Sequence, residues 1–223
     1  MEDKTNTKFS LNVENKIRQD LFDQWAKGYN KSVLKSEKEA NYPFAGYSEV
    51  KYSVFDIISD KHKAKVLEMG VGTGEITKPL YDLGCEITGV DLSNKMIEIA
   101  KSYMKKATFI LADFSDALNE ISNKFDFIVF SYSIHHLSYN NQIELLIKLN
   151  NYLNEDGVII IGDVSTLTLE DMNQLQNKYA AIWDDEEYYP ILKKYQLSQL
   201  VDIYKLRYVQ INEVAGVYKF RKK

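Results

Sequence analysis

The chain has 223 residues, of which 45% are apolar, 13% aromatic and 27% charged, as in globular rather than disordered or collagenous proteins. With a net charge of −4, the chain lacks the broad basic surface that binding to a phosphate backbone requires, so we expect no nucleic-acid partner. The single cysteine, Cys85, excludes an internal disulfide. One cysteine and three histidines in the whole chain cannot supply the ligands of the usual structural zinc sites. We expect a cytoplasmic protein without a metal, and no segment approaches the roughly 18 apolar residues of a membrane span.

Two amphipathic helices are predicted before the first strand, and residues 1–60 are interpreted as an N-terminal helical lid. The first pattern places five side chains on one face: Ile17, Leu21, Phe22, Trp25 and Tyr29. The second repeats this with Tyr47, Val50, Val54, Ile57 and Ile58. The segment NYPFAG at 41–46 separates the two helices, because proline and glycine interrupt helical periodicity.

Residues 64–163 alternate short apolar runs with helical patterns, which is typical of βαβ units around a parallel sheet. The predicted strands are 65–69, 86–90, 107–111, 125–131 and 157–161. One helical stripe between them comprises Met96, Ile97, Ala100, Tyr103 and Met104, and another comprises Ile143, Leu146, Leu149 and Leu153. Gly84 and Gly157 follow such stretches and are predicted C-caps.

The remaining chain is predicted to form a helical cap at 164–203 and a C-terminal hairpin at 204–223, within one domain of residues 1–223. Leu169, Met172, Leu175, Tyr179 and Ile182 share a helical face, and a further helical pattern runs from 191 to 201. Alternation over 204–211 and 215–220 predicts two antiparallel strands that complete the sheet. The cap carries six acids and one base between 168 and 187. Such a run is either a solvated face or a cover that favours a cationic acceptor.

The segment VLEMGVGTGEIT at 66–77 runs from a strand through a glycine-rich turn into a helix. Gly70, Gly72 and Gly74 permit positive φ and close approach of a ligand, and the helix N-terminus attracts negative groups. A nucleotide-like ligand is therefore expected, although a tight βα turn needs no ligand. Dinucleotide folds require a third glycine at position 75, where this chain has Glu75, so a nicotinamide dehydrogenase is disfavoured.

Two acids follow the next two strands. Asp91 ends strand EITGV, where a carboxylate can accept both hydroxyls of a ribose. Asp113 ends the following strand and can accept a hydrogen bond from an adenine amine, with Phe114 shielding the base. The alternative for Asp113 is an N-cap of the helix that follows. Together the two acids predict an adenosine-containing ligand.

These motifs, in this order and spacing, resemble those of the class I S-adenosylmethionine-dependent methyltransferases, from about residue 20 to the end. The resemblance implies a Rossmann-like α/β fold: a mostly parallel seven-stranded sheet with an antiparallel C-terminal hairpin and helices on both faces. It implies S-adenosylmethionine as cofactor, with S-adenosylhomocysteine as product. By this resemblance Gly70–Gly74 border the methionyl part, Asp91 the ribose and Asp113 with Phe114 the adenine. Leu92 packs on the base and Glu68 orients the ammonium group.

The N-terminal segment FDQWAKGYN at 22–30 is similar to the FDxWAxxYD segment of small bacterial methyltransferases. Tyr29 matches that pattern, and the resemblance implies a contact with the cofactor carboxylate; its alternative role is core packing. Asn30 replaces the aspartate of the pattern, so the role of that carboxylate does not carry over.

His135 and His136 follow the strand FDFIVFS and are expected near the transferred methyl group, where one of them, preferentially His136, deprotonates the acceptor. The alternative is that one packs beneath the next helix and the other is solvated. Ser131 is expected to contact the cofactor through its backbone. The segment SYSIHHL differs from the motif of base amino-methyltransferases, so a small-molecule acceptor is predicted. RNA or protein methylation, and binding of the cofactor without catalysis, are the alternatives; the oligomeric state stays open.

Overall fold

The computed structural model describes residues 16, 18–26 and 28–223, and seven strands in it form one sheet. In chain order they are β1 (Lys65–Met69), β2 (Glu86–Asp91), β3 (Thr108–Leu111), β4 (Phe125–Ser131), β5 (Leu153–Val164), β6 (Tyr204–Gln210) and β7 (Ala215–Lys222). Their spatial order is β3-β2-β1-β4-β5-β7-β6. Strands β1 to β5 pair in parallel, whereas β7 is antiparallel to both β5 and β6. The predicted Rossmann-like fold is therefore confirmed.

Helices cover both faces of this sheet. They are α1 (Tyr29–Lys38), α2 (Tyr47–Ser59), α3 (Lys78–Asp82), α4 (Asn94–Tyr103), α5 (Phe114–Glu120), α6 (Tyr139–Leu149), α7 (Leu169–Lys178), α8 (Leu192–Gln196) and α9 (Leu200–Ile203). Residues 18–25 are also helical, and short 3₁₀ turns occupy Ile134–His136 and Asn150–Tyr152. No helix in this part of the chain is both long enough and apolar enough to cross a bilayer.

Each face of the sheet has its own apolar core, because successive side chains of a strand point to opposite faces. Helix α2 buries Val50, Val54 and Ile58 completely in one core. Helix α6 buries Leu146 and Leu149 in the other. The central strands are covered on both sides, and all seven residues of β4 are buried. This explains why their sequences are almost continuously apolar.

The strand order places a crevice at the carboxyl ends of the central strands. From β1 the chain passes to β2 on one side, and β4 later joins β1 on the other. Open α/β sheets bind ligands where the strand order reverses in this way. The turn after β1 and the loop after β4 therefore flank a ligand site.

The predicted N-terminal helix is wrong in its extent. Helical residues 18–25 end before Gly28, and a separate helix begins at Tyr29. Leu21 and Trp25 are 42% and 46% exposed, whereas Tyr29, at the start of α1, packs against one core. Ile17 lies outside the described residues.

Gly84 ends a helix as predicted, but Gly157 does not. Gly84 has φ +91° two residues after α3, whereas Gly157 lies within β5. Strand β5 begins at Leu153, which was predicted to be helical, and the register with β4 shifts between Phe125 and Phe127. A side chain at Gly157 would meet Leu153 Cβ at 2.8 Å, so glycine is needed for close packing in this irregular strand.

Three further helical predictions are corrected. Tyr103 is 57% exposed and does not contribute to the buried stripe of α4. The cap helix ends at Lys178, so Ile182 and the second half of the acidic run lie in irregular chain. The pattern over 191–201 forms two short helices, α8 and α9, rather than one.

Candidate active site

A cavity of about 910 Å³ opens at the carboxyl ends of the central strands. Ten of the predicted site residues line it: Tyr29, Gly70, Gly72, Asp91, Leu92, Asp113, Phe114, Ser131, His135 and His136. Glu68 and Gly74, which were also predicted, are not among its lining residues. The strand ends thus bring together most of the predicted set, although its members are spread over more than 100 positions of the chain.

The glycine turn is built around the Asp91 carboxylate. Gly70 and Gly72 adopt φ of +83° and +51°, which side chains rarely tolerate. The amide of Gly72 donates to Oδ2 of Asp91 at 2.7 Å, and the amide of Ser93 donates to Oδ1 at 2.8 Å. Burial raises the pKa of Asp91, while these two backbone hydrogen bonds oppose the shift. The turn and the acid therefore form one structural unit.

Gly74 has a packing role in the structure. Its φ is +83°, and a Cβ there would lie 2.6 Å from Cε of Met104 and 3.4 Å from Cβ of Ala100. The absence of a side chain lets the turn pack closely against α4. Gly74 therefore supports the turn without lining the cavity.

Three buried polar atoms near the cavity have no hydrogen-bond partner among the described residues: Oε2 of Glu68, Oγ of Ser131 and the hydroxyl of Tyr132. Ser131 and Tyr132 line the cavity, and Glu68 lies at the adjacent end of β1. Burial, with the nearby charge of Asp91 contributing, raises the pKa of Glu68 to about 8. Unpaired buried polar groups call for an explanation. A ligand that carries an ammonium group and further polar atoms fits them.

Asp113 is the N-cap of α5, the alternative considered from the sequence. Its Oδ1 accepts hydrogen bonds from the amides of Ser115 and Asp116, both at 2.8 Å. Asp113 also lines the cavity, as does Phe114, whose ring meets Phe130 edge to face. The capping role fixes the carboxylate at the cavity wall and leaves the adenine contact a prediction.

Asn30, where related segments carry aspartate, ties the N-terminal region to the glycine turn. Its Nδ2 donates to Glu75 at 3.1 Å, and its Oδ1 accepts from the Thr73 hydroxyl at 2.8 Å. An amide can donate and accept at once, whereas a carboxylate only accepts. The neighbouring Tyr29 is a cavity residue whose pKa is raised by burial and by the Asp91 charge. Asn30 thus holds α1 against the turn that Tyr29 faces.

Helical residues 18–25 cover the cavity and touch both of its ends. At one end Asp23 accepts a hydrogen bond from the hydroxyl of Ser93, directly after the Asp91 strand. At the other, Arg18 donates to the backbone oxygen of His136 at 3.1 Å, and the Phe22 ring lies 5.2 Å from that imidazole. The sequence predicted a helical lid over residues 1–60 but did not show these contacts.

The two adjacent histidines each bind a carboxylate. Nδ1 of His135 lies 2.7 Å from Asp163, which is fully buried on β5. Nδ1 of His136 lies 2.8 Å from Oε1 of Glu187, and the two imidazole rings are 4.3 Å apart. Burial opposes protonation of His135, but the Asp163 charge outweighs it and raises the pKa. Burial and the charge of His135 lower the pKa of His136. Neither histidine is simply solvated.

Glu187 and Asp163 are site residues that the sequence did not reveal. Within the acidic run, only Asp184 and Glu187 among the six acids line the cavity. The run itself was a visible signal, but its helical interpretation hid which acid turns inward. Asp163 ends a buried strand and carries no local motif. Its role becomes visible only when β4 and β5 pair.

His135, His136 and Glu187 also offer possible metal-ligand atoms within 4.8 Å of one another, the one such group found in the described residues. In the structure each of these histidines directs Nδ1 at a carboxylate. We therefore describe the cluster as two histidine–carboxylate pairs.

Comparison with known proteins agrees with this architecture. A family model described as a methyltransferase domain matches residues 66–157. An uncharacterized methyltransferase of Alkaliphilus oremlandii is 35% identical over 158 residues, which is 71% of this chain and 72% of that protein. One from Oceanobacillus iheyensis is 29% identical, covering 91% of this chain and 96% of that protein.

Solved structures share the fold at low sequence identity. Magnesium protoporphyrin IX methyltransferase from Synechocystis, with bound S-adenosylhomocysteine, has a TM-score of 0.70 at 16% identity, covering 93% of this chain and 99% of that one. A DhpI–SAM–HEP complex has a TM-score of 0.68 at 16% identity, covering 94% and 97%. The N-methyltransferase NodS from Bradyrhizobium japonicum has a TM-score of 0.60 at 16% identity, covering 78% and 86%.

A sheet of this topology, with a glycine turn after β1 and an acid at the end of β2, defines a class I S-adenosylmethionine-dependent methyltransferase. The chain belongs to the methyltransferase family of the Alkaliphilus and Oceanobacillus proteins, and S-adenosylmethionine is its cofactor.

Proposed function

We propose that this methyltransferase acts on a small organic molecule. The observation that carries the proposal is one continuous cavity that is lined both by the glycine turn with Asp91 and by the histidine pair. Its volume of about 910 Å³ is near the upper end of ordinary ligand pockets, which span ~300–1,000 Å³. This is room for a cofactor and a small acceptor side by side.

The cofactor end is assigned as follows. Gly70 and Gly72 border the methionyl part, with Gly74 supporting the turn behind them. Asp91 accepts the ribose hydroxyls, and Glu68 pairs with the ammonium group. The remaining cofactor contacts in this proposal are Tyr29 at the carboxylate, Leu92, Asp113 and Phe114 around the adenine, and Ser131. The unpaired Oε2 of Glu68 and Oγ of Ser131 support this arrangement. When bound, S-adenosylmethionine supplies a methyl group on a sulfonium, which an aligned nucleophile displaces in line.

The acceptor end is assigned to the histidines and the aromatic side chains around them. His135 and His136 are the proposed catalytic residues. Tyr42, Tyr188 and Tyr189 line the same end and present apolar rings with polar tips. The net charge of −4 argues against a phosphate backbone as the acceptor. A structural neighbour named for the small substrate magnesium protoporphyrin IX is consistent with a small acceptor.

The domain organisation and location follow the same proposal. Of the predicted lid at 1–60, helical residues 18–25 cover the cavity, whereas α2 belongs to one core of the sheet. In this proposal residues 64–163 hold the cofactor, 164–203 cap the acceptor, and the hairpin 204–223 completes the sheet of a single domain. A reducing cytoplasm suits a chain whose single cysteine, Cys85, is buried and free.

Thermal unfolding with added ligand tests the cofactor half. At a hundredfold excess over the dissociation constant, S-adenosylmethionine or S-adenosylhomocysteine should add ~2.7 kcal/mol, a shift of roughly 5–10 °C. NAD should give no shift. Asp91→Ala should lose the shift, whereas Asp60→Ala, at an exposed position, should keep it. No shift of the wild type with either sulfur ligand would overturn the assignment.

Formation of S-adenosylhomocysteine tests the acceptor half. The enzyme is incubated with S-adenosylmethionine and panels of small alcohols, phenols, amines, thiols and carboxylic acids, beside total RNA and a protein extract. Turnover with a small molecule supports the proposal. Turnover restricted to RNA or protein would show that the acceptor is a macromolecule instead. Binding of S-adenosylmethionine without turnover on any panel would favour a non-catalytic binding protein.

A further inference from the structure

The geometry points to His136 as the general base for methyl transfer and to Glu187 as the residue that positions it. Nε2 of His136 takes a proton from the acceptor, and Glu187 holds the ring in place. This inference rests on the proposed function and deepens it, because it specifies the chemistry of the acceptor. The attacking oxygen or nitrogen must still carry a proton when it binds.

Glu187 reaches His136 although 51 residues separate them in the chain. Its two oxygens lie 2.8 and 3.0 Å from Nδ1 of the imidazole. An ionised carboxylate can only accept, so Nδ1 carries the hydrogen, and in the neutral ring Nε2 then keeps its lone pair. In the described part of the chain no hydrogen bond reaches Nε2. The ring lines the cavity, so this nitrogen is the one available to a substrate.

The chain segment that carries Glu187 is fixed to the histidine loop by neighbouring bonds. The amide of Tyr188 donates to the backbone oxygen of His135 at 2.8 Å. Gln142, which is fully buried, donates from Nε2 to the backbone oxygens of both Leu137 and Tyr188, at 2.8 and 2.6 Å. The carboxylate is thus held by the same residues that hold the loop. A base is effective only when it is placed in this way.

The charges around the ring favour its neutral form. Burial and the adjacent charge of His135 lower the pKa of His136, against the opposing effect of Glu187. Burial lowers the pKa of His135, but the charge and hydrogen bond of Asp163 outweigh it and raise that pKa, and the charges of Glu187 and Asp184 act in the same direction. The pKa of Glu187 is lowered chiefly by its hydrogen bond to His136, although burial opposes this, and Arg18 contributes. The result is a neutral imidazole beside an ionised carboxylate, the state needed to accept a proton.

A base of this kind selects the acceptor chemistry. A carboxylate or phosphate acceptor is already ionised near neutral pH and needs no base, and a thiol, with an ordinary pKa of about 8.5, supplies a fraction of thiolate without one, whereas a hydroxyl or an amine keeps its proton. As the acceptor oxygen or nitrogen bonds to the methyl carbon, the carbon–sulfur electron pair stays on sulfur. The acceptor proton passes to Nε2 of His136 and afterwards to water. The acceptor is therefore an alcohol, a phenol or an amine.

Two-bond ¹H–¹⁵N correlation spectra of the full chain, saturated with S-adenosylhomocysteine and treated with EDTA, test the protonation state directly. The His136 signals are assigned with His136→Gln. At pH 7.5 we expect a neutral ring with the hydrogen on Nδ1, and a titration midpoint below the ordinary 6.5. A protonated ring, a hydrogen on Nε2, or metal ligation that EDTA removes from an untreated sample would each overturn the inference.

Matched variants separate positioning from folding. Glu187→Gln should raise the Nε2–H tautomer of His136 and lower kcat by about 10²-fold with the acceptor identified from the panels, at unchanged KM for S-adenosylmethionine. Glu187→Asp should restore part of the Nδ1–H tautomer and part of kcat. Glu186→Gln, at the exposed neighbouring position, should match the wild type. A wild-type spectrum for Glu187→Gln, or turnover confined to carboxylic acids, would refute the roles assigned to His136 and Glu187. Failure of the proposed function would instead appear as a missing thermal shift with S-adenosylhomocysteine.

Discussion

The amide of Gly72 donates to the Asp91 carboxylate at 2.7 Å, which joins the glycine turn after β1 to the end of β2. Two features that the sequence presents 19 positions apart are therefore one unit in the structure. A substitution at Asp91 must consequently affect folding as well as cofactor binding, and the two effects can be measured separately.

We predict that Asp91→Asn lowers the free energy of unfolding by about 1–2 kcal/mol in the absence of ligand, because an amide cannot accept from both backbone donors without turning its own NH₂ toward one of them. Urea denaturation measures this. Asp60→Asn, at an exposed position, is the control and should leave stability unchanged. Equal stabilities of Asp91→Asn and the wild type would show that the carboxylate serves the ligand alone.

The first two glycines of the turn should differ in their tolerance of alanine. A Cβ at Gly70 would lie 2.5 Å from Cβ of Ser133, whereas a Cβ at Gly72 meets nothing within 4 Å. Both have positive φ, so each substitution costs about 1–2 kcal/mol of backbone strain. Gly70→Ala adds overpacking of about 1–3 kcal/mol.

Thermal and urea unfolding of the two alanine variants should therefore rank Gly70→Ala as the less stable. Gly72→Ala should stay folded and lose cofactor affinity, since its new methyl group enters open space at the cavity wall. Equal destabilisation by both variants would contradict the steric argument.

Cofactor binding should release a proton from Glu68 near neutral pH. Burial holds its pKa at about 8, so the carboxyl is protonated at pH 7, and the arrival of a cationic ammonium favours its ionised form. Calorimetric binding enthalpies of S-adenosylhomocysteine at pH 7, measured in buffers of different ionisation enthalpy, should reveal close to one proton released. Affinity should rise as pH increases toward 8 and level off above it.

Glu68→Gln should abolish the buffer dependence and weaken binding. The same linkage has a consequence for stability in the absence of ligand. Because the folded-state pKa is raised above the unfolded value, this group's contribution falls as pH rises from about 4.5 to 8, and Glu68→Gln should remove that loss. An enthalpy independent of the buffer would contradict the assignment of Glu68 to the ammonium group.

The sequence predicted the central sheet well because each of its strands has a recognisable local sequence pattern. β1 and β4 have the predicted bounds, since burial on both faces demands uninterrupted apolar runs. The edge strand β6 alternates between more and less exposed residues, whereas β7 lies between β5 and β6 and is mostly buried. The glycine turn and Asp91 were visible because fixed spacing reflects a fixed strand–turn–helix geometry.

What the sequence could not predict depends on tertiary contacts. Gly157 resembles a helix C-cap, but the irregular pairing of β5 with β4 decides its role. Glu187 is one of six acids in a run, and only the folding of residues 179–190 across the histidine loop singles it out. Asp163 likewise reaches His135 only because β5 pairs with β4, the strand that leads into the histidine loop. Helical periodicity alone cannot show that residues 18–25 lie over a cavity rather than on a core.

Helical residues 18–25 should slow the exit of the cofactor. Asp23 accepts hydrogen bonds from the Ser93 hydroxyl and, at 3.2 Å, from the amide of Lys95, so it joins this segment to the start of α4 beside Asp91. Removing these partly exposed bonds with Asp23→Ala costs about 0.5–1.5 kcal/mol, which corresponds to a roughly two- to tenfold faster dissociation of S-adenosylhomocysteine. Stopped-flow displacement measures this rate. Asp20→Ala, an exposed acid on the same segment, is the matched control. Because the same bonds are present without ligand, Asp23→Ala should lower the free energy of unfolding of the ligand-free protein by no more than this amount. Dissociation at the wild-type rate in Asp23→Ala would show that the segment lies over the cavity without retaining its ligand.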